Sequence, residues 1–189
     1  MTAPSRRRAT YEDVLQAPSN VVAEVLFGTL YTHPRPSLRH ANASSHLGGL
    51  LCGPFRFGQG GPGGWVIYDE PELHLGAEPD IVVPDLAGWH RERLADLPED
   101  ARWTSIAPDW LCEVLSPSTE ASDRAEKMEI YLRERVGHVW LIDPIVRTLE
   151  VYRHGGDLWQ RLAVYRDDAA VRAEPFEALE LPLGLLWER

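Results

Sequence analysis

The chain has 189 residues, 44% of them hydrophobic, enough for one well-buried core and short for two independent ones. Acids outnumber bases 29 to 19, a formal net charge of -10 that argues against broad non-specific binding to a phosphate backbone. It does not argue against a nuclease, because clustered carboxylates repel phosphate only until a divalent cation bridges them.

Two cysteines, Cys52 and Cys112, show neither metal-type nor disulfide spacing and read as small buried hydrophobes. The basic start carries no apolar run after it, so no secretory signal is expected, and no stretch of about 18 apolar residues would cross a membrane. A cytoplasmic location is the expectation. The organisation expected is a disordered basic tail over 1–10, including Arg6-Arg7-Arg8, followed by a single domain over 11–189. Of the nineteen cationic residues eighteen are Arg, and the sole Lys is Lys127. Its ammonium is a compact point donor with a tunable pKa, unlike the planar guanidinium.

In chain order, Thr10 three residues before Asp13 signals a helix start, and Pro18 a stop. Val21 to Thr32, β-branched and aromatic around Gly28, reads as a hairpin. Ser37 caps a helix through His40, His46 and Leu51, which the glycines from Gly48 onward are expected to weaken into a loop reaching Gly64. Gly58-Gln-Gly-Gly-Pro-Gly63 spells a dinucleotide-binding G-x-G-x-x-G, but Pro62 intervenes and the strand-like Trp65-Val-Ile-Tyr68 follows, so the match is rejected.

Ile81-Val-Val83 and Trp110 to Leu115 read as short buried strands, and Asp85 to Ala107 as a loop with a short helix at 91–94. Ser122 to Val136 is predicted to be an amphipathic helix with Ala125, Met128, Leu132 and Val136 on its apolar face and Gly137 as its stop. Three further strands, Val139 to Ile142, Thr148 to Tyr152 and Leu158 to Tyr165, suggest an antiparallel meander. The fold class is α/β or α+β, a central mixed β-sheet flanked by helices.

Charged residues that interrupt apolar strands carry the chemistry, because a buried charge costs several kcal/mol unless paired or metal-bound. Asp80 opens one such strand and Glu113 lies inside another. If the strands are neighbours, the two carboxylates converge and can hold magnesium through oxygen. Pro-Asp occurs three times, at Asp80, Asp85 and Asp109, so the dipeptide alone is weak. Asp123, Lys127 and Tyr131 are spaced four apart on one helix face. An ordinary ion pair between Asp123 and Lys127 would also explain that spacing.

The stretch Pro108 to Thr119, then Asp123, Lys127 and Tyr131, then Gly137-His-Val-Trp140-Leu-Ile-Asp143-Pro144, resembles the Uma-type restriction endonuclease family of the PD-(D/E)XK nuclease superfamily. Glu24 to Gly28, His40 and Pro79-Asp80-Ile-Val-Val match its pattern in order. The resemblance implies a restriction-endonuclease-like core and a metal-dependent endonuclease hydrolysing DNA phosphodiesters. Asp80, Glu113 and the backbone carbonyl of Val114 would hold Mg2+, or Mn2+ in its place. Lys127 would orient or deprotonate the attacking water, and Glu24 would be an auxiliary acid. His40, Asp123 and Tyr131 are weaker candidates. One departure matters: Leu115 stands where the superfamily usually has its lysine, so the amine must come from the helix. The competing reading is a catalytically inactive module of the same fold acting in nucleic-acid binding or protein assembly. By analogy with the superfamily, a homodimer or higher homo-oligomer is expected.

Overall fold

The computed structural model describes residues 7–188. Thr10 starts helix α1 (Tyr11–Leu15), its backbone N–H donating to the Asp13 carboxylate at 2.7 Å. The same carboxylate accepts two bonds from Arg7, at 2.6 and 2.9 Å, and Ala9 N–H donates to the Gly28 carbonyl. The tail expected to run to residue 10 is thus anchored from Arg7 onward; residues 1–6, Arg6 among them, lie outside the described residues.

Strands β1 (Val21–Leu26) and β2 (Thr29–Pro34) form the expected hairpin. Its two-residue turn puts Phe27 at φ 50° and Gly28 at φ 74°, the left-handed pair that matches strand twist. Ser37 then caps α2 (Leu38–Leu51), its hydroxyl accepting from His40 N–H. Here one expectation is corrected: the chain does not loosen at Gly48 but stays helical through a π turn, Cys52–Arg56. Gly48, Gly49 and Gly53 cost such a helical run about 1 kcal/mol each, and the burial of Leu47, Leu51 and Phe55 outweighs that.

Next come β3 (Trp65–Asp69), β4 (Glu72–Leu75), β5 (Asp80–Val82), β6 (Leu86–His90), a 3-10 turn at Arg91–Leu94, β7 (Trp103–Thr104) and β8 (Trp110–Val114). Strand β6 falls where a loop was expected. Ala87 and Gly88 are poor strand formers, so Leu86-Ala-Gly-Trp-His90 carries little local signal. Gly88 is there for space: a Cβ would come within 3.3 Å of both Trp110 and Trp65.

Short α3 (Glu120–Ser122), a π turn (Asp123–Lys127) and α4 (Met128–Arg133) form one continuous helical stretch. The anticipated apolar face is corrected too. Met128 and Val136 are buried, but Ala125 is exposed and Leu132 only half-buried, while Asp123, Lys127 and Tyr131 point inward. The chain continues through β9 (His138–Asp143), β10 (Thr148–His154), β11 (Trp159–Arg166), β12 (Ala170–Val171), β13 (Leu181–Pro182) and α5 (Gly184–Trp187), with β9 to β11 as the anticipated meander.

The main sheet is mixed, in the order β11-β10-β9-β8-β6-β3, with β8 and β9 parallel. A second sheet runs β2-β1-β5-β4-β7. Alternation along β8 explains the layers. Trp110, Cys112 and Val114 face a core shared with Leu47 and Leu51 of α2 and Leu186 of α5. Leu111 and Leu115 face another, shared with Leu26 and Val82 of the second sheet and Ile130 and Tyr131 of α4. Glu113 shares that second face, at the seam between the two sheets and the helix.

Candidate active site

Sheet register brings the first two acids together. Strands β6 and β8 run antiparallel with Leu86 opposite Cys112, so the next step places Asp85 across from Glu113. Asp85 Oδ2 accepts from the Val114 N–H at 2.7 Å, and Asp85 Oδ1 lies 3.2 Å from His40 Nε2, presented by the first turn of α2. The π turn supplies the rest. Turns of this kind insert a residue into a helix and recur at functional sites, and this one directs both Asp123 and Lys127 inward.

Lys127 Nζ lies 2.8 Å from Glu113 Oε1, 3.1 Å from Glu24 Oε1 and 3.4 Å from Asp123 Oδ1. Tyr131 O–H donates to the same Glu113 oxygen at 2.5 Å. Glu24, on β1, is fixed by the Val83 N–H at 2.8 Å. Glu24, Asp85, Glu113, Asp123 and Lys127, together with His33 and His40, line a cleft of about 320 Å³ whose lips are Pro34 to Ser37 and Ser116 to Thr119. The amine therefore does reach the acid from the helix, despite Leu115.

Glu113, Glu24, Asp123 and Lys127 are each only 2–3% exposed. Burial pushes the Glu113 carboxyl well above the ordinary carboxylate range; Lys127 pulls it back, and Asp123, Asp85 and Glu24 push it further up. Asp123 is raised in the same way, by burial against the opposing pull of Lys127. For Lys127 burial works to discharge the amine, but Glu113 and Glu24 outweigh it and hold the proton more firmly than in water. Burial likewise opposes charge on His40, and Asp85 overcomes it, raising the imidazole pKa with help from the Val114 carbonyl.

The raised Glu113 pKa has a consequence for stability. Between the ordinary Glu value of about 4.3 and its higher folded value, the native state keeps a proton the unfolded chain has released, so stability falls as pH rises through that window. Glu113→Gln lacks this loss. In metal-free buffer its stability relative to the wild type is expected to improve as pH rises above the ordinary Glu value, as followed by urea unfolding at each pH; a flat difference would contradict the shift.

Three carboxylates, Glu24, Glu113 and Asp123, thus surround one ammonium with Asp85 in the same cleft, and Nε2 of His33 and Nδ1 of His40 are buried without a hydrogen-bond partner. Among the described residues no three His, Cys, Asp or Glu side chains already form a metal-holding group. The donor set is therefore not a closed protein cage. Two facing carboxylates and a neighbouring carbonyl suit magnesium, which binds oxygen, takes one or two carboxylates and keeps several waters.

The expected partner of Glu113 was Asp80, and the structure places it elsewhere. Strand β5 lies between β1 and β4 in the second sheet, not beside β8. Asp80 accepts from the Phe27 N–H at 2.5 Å and from Arg133 at 2.7 Å, tying the hairpin turn to α4. The acid across from Glu113 is Asp85. Glu24, Asp123, Lys127 and Tyr131 lie around Glu113, and His40 reaches the same cleft through Asp85. His46 turns to the carbonyl of Leu185. Asp85 and His33 are the residues that sequence reasoning passed over. A signal for Asp85 existed in its own Pro-Asp dipeptide.

The sequence matches, over residues 9–184, the Uma2 family described as "Putative restriction endonuclease". The chain belongs to the Uma2 family. A crystal structure of "a putative nuclease belonging to DUF820" from Anabaena variabilis is similar to it, with a TM-score of 0.75 and 25% identity over 94% of this chain and 97% of that one. No curated protein matches significantly. The mixed sheet with few helices agrees with the restriction-endonuclease-like fold of an Uma2 protein. Among its described residues no helix is long and apolar enough to cross a membrane.

Proposed function

We propose that this protein is a magnesium-dependent endonuclease that hydrolyses DNA phosphodiesters, with Asp85 and Glu113 as metal-binding acids and Lys127 as the catalytic cation. Family membership and the similar nuclease support nuclease action. The observation that carries the finer reading is the convergence of Asp85, Glu113 and Lys127 on one cleft, with Nζ 2.8 Å from Glu113.

Asp85 and Glu113, with the Val114 carbonyl, would hold the ion. A bound divalent cation would polarise the phosphoryl oxygen and acidify a water. The protein's own groups do the rest. Lys127, whose proton is held firmly by its carboxylates, serves as a donor and positive charge beside the scissile phosphate rather than as a base. Glu24 and Asp123 fix the ammonium from two sides, and Tyr131 holds the Glu113 carboxylate from behind. His40 sets the orientation of Asp85.

A supercoiled-plasmid assay tests the proposal. Nicking is expected in magnesium or manganese, none in EDTA, and at least a hundredfold less with Glu113→Gln. Equal nicking by wild type and variant would overturn it.

A further inference from the structure

The catalytic cleft does not end at its lips. A second depression, lined by Arg39, Leu115, Pro144 and Ile145, shares Ser37, His40, Ser116 and Pro117 with the cleft. A third, reaching Asn42, Arg147 and Trp187, shares Arg39, Pro144 and Ile145 with the second. The three form one continuous groove along the N-terminal half of α2, from Lys127 to α5.

Two cations line the groove. Arg39 and Arg147 are exposed, and among the described residues neither makes an ion pair, in a chain whose acids outnumber its bases by ten. Nearby Asp143 is occupied, accepting from the N–H groups of Ile145 and Val146 at 2.8 and 3.0 Å. Apolar surface alternates with the two cations: Leu38 is 90% exposed and Ile145 53%. The Trp187 indole N–H is bonded to the Asp167 carbonyl, which fixes the ring at the far end of the groove.

We propose that this groove binds single-stranded DNA and makes the enzyme selective for unpaired strands, an inference that rests on the nuclease reading of the cleft. Spaced guanidiniums with apolar and aromatic surface between them suit a backbone whose bases are free to stack, the combination single-strand binders use. A duplex hides its bases and asks for a broad cationic face, whereas only a narrow basic track is present here. The buried acids at 2–3% exposure also lie deep in a cleft that one strand enters more readily than a rigid double helix.

Fluorescence anisotropy with labelled single-stranded and duplex oligonucleotides of one sequence, in EDTA and in calcium, measures selectivity apart from cleavage. The wild type is expected to bind the single strand at least tenfold more tightly. In Arg39→Ala/Arg147→Ala the single-strand preference is expected to disappear. The slope of log K against log salt is expected to become shallower by about 1.4, at 0.7 per lost phosphate contact. Cleavage by that variant is expected to show raised KM with kcat retained. Tighter duplex binding by the wild type, or unchanged single-strand binding by the double variant, would overturn the proposal. So would a wild-type dimer that the double variant dissociates in sedimentation, since the groove would then be an interface between copies. Single-strand selectivity lost in the double variant, with no cleavage in any metal, would support the groove and sink the nuclease reading.

Discussion

Asp85→Asn is expected to lower magnesium-dependent cleavage about a thousandfold with little change in Tm, and Asp80→Asn to lower Tm with cleavage retained wherever the protein is folded. The first figure corresponds to about 4 kcal/mol of transition-state stabilisation, the scale of a lost metal ligand. The Asn at 85 can still accept from Val114 N–H, so the strand pair β6–β8 keeps its local bond. Asp80 serves the fold: its bonds from Phe27 and Arg133 are charge-assisted, and losing one such bond costs about 1.5–3 kcal/mol. For a chain of this length that is a Tm shift of about 3–12 °C. Plasmid nicking at 25 °C beside thermal unfolding reads both; loss of activity in folded Asp80→Asn with activity kept in Asp85→Asn would return the metal site to Asp80.

That contrast also marks where sequence reasoning reached and where it stopped. Glu113 was legible because an acid inside an apolar strand needs a partner, and Asp123, Lys127 and Tyr131 because spacing by four puts them on one face. Which Pro-Asp belongs beside Glu113 depends on strand neighbours, a long-range fact. The strand Asp85 precedes owes its place to Gly88 fitting between Trp65 and Trp110, and local propensity carries no trace of such a contact. Asp80, ahead of β-branched residues, gave the stronger local signal for the wrong sheet. The π turn was hidden for a similar reason: periodicity assigned Ala125 to the buried face, whereas the charged cluster draws Asp123 and Lys127 inside.

Lys127→Met is expected to be the most damaging single change, removing cleavage and about 3–5 kcal/mol of stability at pH 8 without metal. The loss is that of a buried ion cluster deprived of its only cation: Glu24, Glu113 and Asp123 remain buried around an apolar side chain. The deficit is expected to shrink toward pH 5. Glu113 and Asp123 already have raised pKa values, and without the ammonium they rise further, so the folded variant gains protons as pH falls and recovers stability. Lys127→Arg is expected to rescue little, because a planar fork does not replace a point donor among three close oxygens. Urea unfolding at pH 5 and pH 8 checks the sign. A Met variant as stable as the wild type at pH 8 in EDTA would show that the ammonium does not hold the cluster together.

The only lysine side chain in the sequence is 3% exposed and enclosed by carboxylates. Reagents and enzymes that modify lysine side chains therefore find no accessible lysine on the native fold. Labelling at position 127 becomes a clock for opening of the active-site layer, readable by mass spectrometry on a single peptide without any engineered probe.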